Sequence, residues 1–202
     1  MSPAEEIKRV AMTDEEIEAA HLGQAPILDR EIELIEYDPA WPALYEREAA
    51  RIRGALGPVA TAVEHVGSTS IPGMPAKPIL DLLLVVADSA REAAYVPPLE
   101  AAGYRLDIRE PDWYEHRVLR RPESEIAVTL HVFSEGCPEI ERMLLFRDRL
   151  RSDDADRELY ARTKRALARR AWKRLQHYAD AKTEVVEAII ARAHSPAGRD
   201  DG

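Results

Sequence analysis

The sequence predicts an α+β fold in which a mixed β-sheet is flanked by helices and followed by a helical C-terminal third. The segment Ile79–Val86 is almost wholly apolar, as expected for a strand in the interior of a sheet covered on both faces. Further strand-like segments lie on both sides of it, and residues 138–194 repeat apolar side chains at helical spacing. A chain of 202 residues is long enough for one large domain.

The N-terminal region is predicted to contain a short helix, a strand and a longer helix. The pair Thr13 and Glu16 has the spacing of a capping box, which predicts a short helix that ends at Gly23. Residues 31–37 nearly alternate between apolar and charged side chains, which is typical of a half-buried strand. Asp38 is then predicted to cap the longer helix.

The middle of the chain is predicted to be rich in strands. The other strand-like segments are residues 60–66, 104–108, 114–119 and 126–133. A helix is expected over residues 88–102, although Pro97 and Pro98 must break or offset it. The predicted organisation is an N-terminal extension with one short helix over residues 1–30, one domain over 31–194 and a disordered tail over 195–202.

Charge is distributed unevenly along the chain. The formal net charge is −9, yet residues 147–182 carry twelve Lys and Arg against six Asp and Glu. Such a basic segment either is a solvated helical face or attracts phosphate locally, whereas extended nucleic-acid binding is not expected because the overall sign is wrong. The predicted partner is therefore a small phosphate-bearing molecule; no oligomeric state is predicted.

Other classes of protein are excluded by composition. Cys137 is the single cysteine, which rules out an internal disulfide framework and a Cys-rich zinc site. The longest apolar run is far too short to cross a bilayer, and the acidic N-terminal segment lacks the apolar core of a signal peptide. We expect a cytoplasmic protein with no membrane partner.

The loop before the apolar strand has the composition of a phosphate site. Gly67 permits close backbone approach, and Ser68, Thr69 and Ser70 add hydroxyls to consecutive amides. Lys77 follows in the same loop and is predicted to contact either phosphate or Asp81. Asp81 is the single carboxylate in the apolar strand, so it must hold a metal, pair with a cation or accept hydrogen bonds from the loop as a purely structural group.

The run HVGSTSIPGMPAKPILD, residues 65–81, resembles the GrpB family, whose domains are also found fused to dephospho-CoA kinases. The similarity continues in order and covers roughly residues 31–192. Its other segments are residues 37–42, 130–132, 145–151, 160–164 and 178–182.

The GrpB family is similar in fold to the polymerase-β-type nucleotidyltransferases, so the resemblance implies a nucleotidyltransferase-like sheet. In those enzymes Gly-Ser ends one strand, and carboxylates on later strands hold two metal ions that align a hydroxyl with the nucleotide α-phosphate. Gly67-Ser68 and Asp81 match this layout, whereas Leu83 stands at the position of the second carboxylate. The resemblance implies a divalent metal, either Mg²⁺ or a transition metal, and a nucleoside triphosphate as candidate substrate.

The family also retains histidines around this loop. We predict Asp81, His65 and His131 as catalytic residues, because imidazoles serve as acids and bases near neutral pH. Asp81 and His131 are the predicted metal ligands; one Asp with one or two His would favour a transition metal. A hydrogen-bonded structural role for each histidine remains the alternative.

Four cations outside the loop are candidate phosphate ligands. They are Arg117, Arg147, Lys164 and Lys182. The predicted function is transfer of a nucleotidyl group from a bound nucleotide to a small acceptor. The alternative is a catalytically degenerate fold that binds a ligand or assists folding, which Leu83 and the absence of an obvious third carboxylate favour.

Overall fold

The computed structural model describes residues 10–28, 31–122 and 125–194. Within these ranges a five-stranded sheet is accompanied by α-helices. The strands are β1 (Ala62–Val66), β2 (Ile79–Val86), β3 (Arg105–Glu110), β4 (His116–Arg121) and β5 (Ala127–Ser134). The helices are α1 (Asp14–Ala20), α2 (Trp41–Leu56), α3 (Val96–Ala101), α4 (Pro138–Ser152), α5 (Asp154–Ala168), α6 (Leu175–Asp180) and α7 (Thr183–His194).

The strand order is β1-β2-β5-β4-β3, and the sheet is mixed. Strand β2 runs parallel to β5 and antiparallel to β1, while β4 is antiparallel to both β5 and β3. The predicted mixed sheet, the interior position of β2 and the helical C-terminal third are confirmed. In the β2–β5 register Asp81 lies opposite Thr129.

Side-chain alternation gives the sheet two different faces. Leu80, Leu82 and Leu84 are fully buried on one face, where they belong to the main core with residues of α2 and α3. Burying a side chain of this size contributes about 1.5–3 kcal/mol. The opposite face carries Leu83 and Val85, which pack in a second core under α4. Because Asp81 has the same parity as Leu83, it lies on this second face.

The predicted strand over residues 31–37 is wrong. Only a single bridge forms there: Ile35 and Ala76 exchange backbone hydrogen bonds of 2.9 Å in both directions. Ala76 lies between Pro75 and Pro78, which carry no backbone N–H, so the ladder cannot extend through the loop.

Two predicted helices begin later than expected. Asp38 accepts a hydrogen bond from the Ala40 amide at 2.8 Å within a turn, so α2 begins only at Trp41. The helix expected over residues 88–102 is a short 3₁₀ segment, Glu92–Ala94, followed by α3. The prolines at 97 and 98 occupy the first turn of α3, where a missing N–H costs no helical hydrogen bond.

The described part of the N-terminal extension, residues 10–28, packs against the following residues of the chain. Helix α1 has the predicted capping box between Thr13 and Glu16 and buries Ile17. Its C-terminal continuation bonds to β3, where the Leu22 amide donates to the Asp107 carbonyl at 2.9 Å. The domain boundaries stay a prediction, and the predicted tail over residues 195–202 lies outside the described residues. In the described part of the chain, none of the helices has the length and apolarity needed to cross a membrane.

Candidate functional site

A cavity of about 270 Å³ opens beside Asp81 on the second face of the sheet. The loop between β1 and β2 forms one wall, strands β2, β4 and β5 form the floor, and helices α5 and α6 with the start of the α6–α7 connection form the rest. The polar side chains that line it are Ser68, Thr69, Lys77, Asp81, Arg120, Thr129, His131, Lys164, Gln176, Tyr178 and Lys182.

Gly67 and Asp81 are packed against each other at the entrance to the loop. Gly67 has φ +66°, and a Cβ built on it would lie 2.4 Å from Asp81 Oδ2 and 2.8 Å from Asp81 Cβ. Neither contact is tolerable, and the positive φ disfavours any side chain. Glycine at this position therefore lets the strand end pass directly over the carboxylate.

The Asp81 carboxylate is half-buried and lines the cavity. Among the described residues no donor lies within hydrogen-bond distance of it. Burial raises the pKa of Asp81, while Lys77 and then Lys182 lower it by charge attraction. This carboxyl is therefore a stronger base than an ordinary Asp, and it is not sealed by loop amides as the structural alternative requires.

Lys164 ties α5 to the loop. Its Nζ donates to Ser68 Oγ at 2.6 Å and to the Pro75 carbonyl. Its side chain is almost fully buried, and this burial, with the nearby charge of Lys182, lowers the pKa of Lys164 well below its ordinary value. Lys164 therefore holds the loop in place and adds positive charge to the cavity wall.

Two further lysines reach the cavity beside one aromatic ring. Nζ of Lys182 lies 4.6 Å and Nζ of Lys77 lies 5.9 Å from the ring centroid of Tyr178. Burial lowers the pKa of Lys182, and it lowers the pKa of Lys77 to about 8. Neither ammonium has a hydrogen-bond acceptor among the described residues, and the Tyr178 hydroxyl is likewise buried without a partner there.

His131 is oriented by a chain of side chains that begins away from the cavity. Glu110 Oε2 lies 2.6 Å from His116 Nδ1, and His116 Nε2 lies 3.1 Å from His131 Nδ1. An ionised carboxylate only accepts hydrogen bonds, so His116 Nδ1 carries a proton, and in a neutral His116 ring Nε2 is then the acceptor. In that state His131 Nδ1 donates to His116, and Nε2 is the acceptor atom of a neutral His131 ring.

The sequence model of one protein family, described as GrpB protein, matches residues 31–192. The chain belongs to the GrpB family. The UPF0157 protein BH1888 of Halalkalibacterium halodurans is 56% identical over 183 residues, covering 91% of this chain and 93% of that protein. The crystal structure of conserved protein GrpB from Enterococcus faecalis superposes with a TM-score of 0.70 at 30% identity, covering 80% of this chain and 96% of that one.

A more distant match is a structure of the Cid1 poly(U) polymerase, which aligns at 11% identity with a TM-score of 0.42, covering 65% of this chain and 44% of that one. Function lies in a site and not in a fold, so the residues of the GrpB site decide its chemistry.

Two of the predicted site residues lie on the wrong face of the GrpB sheet. His65 pairs with Leu82 and so faces α2, where it stacks on Tyr45 with a centroid distance of 4.8 Å. Its Nε2 contacts Thr69 Oγ1 at 3.0 Å, and burial with the nearby charge of Arg151 lowers the pKa of His65 to about 4. The neutral ring therefore positions Thr69 from behind and does not reach the cavity.

Arg117 also points away from the cavity because of its position in the strand register. It pairs with Val132, so it points away from the face that carries His131, and its guanidinium is buried against Glu92 at 2.6 Å and Glu115 at 3.0 Å. Arg120 has the opposite parity to Arg117 and lies on the same face as Thr129, so it lines the cavity instead.

Ser70 and Arg147 also lie off the cavity. The Ser70 hydroxyl donates to the Gly67 carbonyl at 2.6 Å and so closes the loop on itself. Arg147 donates to Glu64 Oε2 at 2.9 Å and to Asp148 Oδ1 at 2.7 Å, so acidic neighbours already neutralise its charge. The predicted residues that do line the cavity are Gly67, Ser68, Thr69, Lys77, Asp81, His131, Lys164 and Lys182.

Four polar cavity residues were not singled out from the sequence. They are Arg120, Thr129, Gln176 and Tyr178. Arg120 is opposite Thr129 in the β4–β5 register, and its Nε donates to Asp107 Oδ2 at 2.5 Å. Thr129 and His131 share a strand face by simple alternation, which was the available signal for Thr129. No sequence signal selects Arg120 over Arg117 without the register.

The donor set does not fit the two-metal site that the resemblance to nucleotidyltransferases implies. Leu83 is fully buried where a second carboxylate would stand, and β5 places Thr129, not a carboxylate, beside Asp81. In the part of the chain that the structure describes, no group of three His, Cys, Asp or Glu side chains could hold a metal ion. The predicted ligands Asp81 and His131 both line the cavity, but lysines surround them, and cations repel a metal ion.

Proposed function

We propose that the cavity binds a small phosphate-bearing molecule through the ammonium groups of Lys77, Lys164 and Lys182. The convergence of these three lysines on a cavity with one carboxylate is the observation that carries the proposal. Buried ammonium groups without full compensation are costly, and the lowered pKa of each lysine reflects that cost. A bound phosphate supplies the missing negative charge and the acceptor oxygens.

The loop supports the same proposal. Ser68 and Thr69 line the cavity at the turn that follows Gly67, and Lys164 Nζ holds Ser68 Oγ there. The buried Tyr178 hydroxyl has no partner among the described residues and is a further donor for a phosphate oxygen. A chain with a net charge of −9 thus concentrates positive charge at one small site, as an anion-binding cavity requires.

Calorimetric titration with inorganic pyrophosphate, in the presence of EDTA, tests this function. We expect binding by the unaltered protein and an affinity at least tenfold lower for Lys182→Gln. Arg162→Gln is the matched control, because Arg162 is an exposed cation on α5 that does not line the cavity. Absence of binding at millimolar pyrophosphate, or an equal loss in both variants, contradicts the proposal.

Nucleotidyl transfer to a small acceptor is the second candidate function. Its specific support is that the Asp81 carboxylate is open to the cavity with a raised pKa, as a general base needs. An acceptor hydroxyl would give its proton to Asp81 while its oxygen attacks the α-phosphorus, and pyrophosphate would leave with the lysines neutralising its charge. His131 Nε2 is a second acceptor atom for such a hydroxyl.

The transfer reaction is testable separately from binding. The protein is incubated with ATP labelled at the α-phosphate and a panel of sugars and amino alcohols, with and without Mg²⁺. We expect labelled acceptor that is lost in Asp81→Asn, while pyrophosphate binding persists in this variant. Transfer that is unchanged in Asp81→Asn removes Asp81 as the base. Binding without transfer to any acceptor supports the catalytically degenerate ligand-binding alternative.

A further inference from the structure

A second chamber lies beside the cavity that Lys77, Lys164 and Lys182 line, which we call the lysine cavity. The volume of the second chamber is about 240 Å³. The side chains common to both walls are Thr129, His131, Met143, Gln176 and Ala179, so the two spaces adjoin each other at His131. Each space alone is slightly smaller than the roughly 300–1,000 Å³ of sites that hold a whole drug-sized ligand, and together they fall within that range.

The chemistry of the second chamber is different from that of the first. No lysine or arginine lines it, and its walls are mainly apolar and aromatic. Phe133 stacks on His116 with centroids 4.5 Å apart, and Trp113 meets Phe133 edge-on at 5.6 Å. Such rings form a flat, apolar surface that favours another ring by stacking or edge contacts.

The N-terminal extension builds the opposite wall. Met12, Ile17 and Ala20 line the chamber, and Ile17 is 2% exposed. These residues precede the segment that matches the family, which begins at residue 31. The extension is therefore part of the candidate site.

Charged contacts fix the extension in this position. Asp14 pairs with Lys173, and Glu18 pairs with Arg174. The Met12 amide donates to Asp180 Oδ2 at 3.0 Å. These contacts join α1 to the segment around α6, which also carries cavity residues.

Gln176 places one polar acceptor at the junction of the two spaces. Its Nε2 donates to Asp180 Oδ1 at 2.7 Å, and this contact fixes the orientation of the amide. Its Oε1 has no donor among the described residues. A heteroaromatic ring with an exocyclic amino group or a ring N–H donates to this oxygen, whereas an alkyl chain would leave it without a partner.

From this arrangement we infer that one ligand spans both spaces, with its phosphates among the lysines and a flat heteroaromatic ring in the second chamber. The ligand class is a nucleoside phosphate, and the extension contributes one wall of the ring subsite. This inference rests on the proposed phosphate-binding function and adds the identity of the group attached to the phosphate.

Three diphosphates test the inference on the full chain by calorimetry. They are inorganic pyrophosphate, ADP and geranyl diphosphate. We expect ADP to bind at least tenfold more tightly than either of the others. Equal affinity for pyrophosphate and ADP overturns the ring subsite but leaves phosphate binding intact, whereas tighter binding of geranyl diphosphate overturns the assignment to a heteroaromatic ring. Absence of binding by all three contradicts both proposals.

Variants on one helix separate the chamber from the lysine cavity. Ala20→Trp places a large side chain into the chamber, and Ala19→Trp places it on the exposed neighbouring position that does not line the chamber. We expect Ala20→Trp to reduce the affinity for ADP to that for pyrophosphate, with pyrophosphate binding unchanged, and Ala19→Trp to alter neither. Gln176→Leu should weaken ADP selectively without touching α1. Unaltered ADP affinity in both Ala20→Trp and Gln176→Leu overturns the inference.

Discussion

The carboxylate of Asp81 occupies the space in which a side chain of Gly67 would begin. Oδ2 of Asp81 lies 2.4 Å from the position of a Cβ on Gly67, and the backbone of Gly67 has a φ of +66°. The backbone that follows β1 thus packs directly against the side chain of Asp81 in β2. This contact directs the carboxylate toward the cavity and brings the loop hydroxyls to the same place.

Gly67→Ala should destabilise the protein more than Gly73→Ala. Both glycines have a positive φ, which costs an L-residue roughly 1–2 kcal/mol, but a Cβ on Gly73 meets no atom within 4 Å. The collision with Asp81 adds about 1–3 kcal/mol at position 67. Urea denaturation of both variants measures the difference in unfolding free energy; equal losses would show that the packing against Asp81 is not restrictive.

Sulfate binding should weaken as the pH rises through about 8. Burial lowers the pKa of Lys77 to about 8 in the free protein, and a bound anion favours the charged form. Binding therefore requires an ammonium group that the free protein loses above this pH. Sulfate is a suitable probe because it does not titrate in this range.

Lys77→Arg is the control for this pH dependence. A guanidinium remains charged throughout the range, so the decline in sulfate affinity between pH 7 and 9 should be smaller in the variant. An identical decline in both proteins would assign the titration to another group.

Asp81→Asn should shift the same titration to lower pH. The charge of Asp81 raises the pKa of Lys77, so its removal lowers that pKa below about 8. At pH 6 the variant should bind sulfate more tightly than the unaltered protein, because the repulsion between the carboxylate and the anion is gone. An unchanged midpoint with unchanged affinity would show that Asp81 does not act on the lysines.

His131 is expected to carry its proton on Nδ1. The order Glu110, His116, His131 requires a donor at His131 Nδ1, with contacts of 2.6 Å and 3.1 Å along the chain. Long-range ¹H–¹⁵N correlation spectra at pH 7.5 report the tautomer of each ring. Glu110→Gln should alter the His131 signals, whereas Glu115→Gln, a change at an exposed carboxylate bound to Arg117, should not. A proton on His131 Nε2 would contradict the relay.

Much of the sheet could be predicted because its signals are local. The apolar run of β2 identifies an interior strand, and its one carboxylate, Asp81, identifies the position where chemistry is found. The alternation in residues 31–37 predicted a strand that does not form. The alternating pattern is present, but the segment that pairs with it is a loop bounded by prolines. Whether a strand pairs depends on the neighbour, which local periodicity does not reveal.

The site residues outside β2 could not be selected reliably from the sequence. Which of their side chains face the cavity depends on how the strands align in the sheet. His65 and Arg117 are each one residue out of phase with the cavity face, so they point into other environments. Arg120 and Thr129 reach the cavity through pairings that only the folded sheet defines. The role of Ile17 depends on where α1 docks, which the capping signal of that helix does not encode.

Crystallographic location of tungstate tests the central claim most directly, because tungstate imitates phosphate and scatters anomalously. Crystals are soaked in tungstate and, separately, in Mn²⁺. The account predicts an anomalous peak for tungstate within hydrogen-bond distance of at least two of the Nζ atoms of Lys77, Lys164 and Lys182. A tungstate peak only elsewhere, together with Mn²⁺ bound by Asp81 and His131 between displaced lysines, would contradict it.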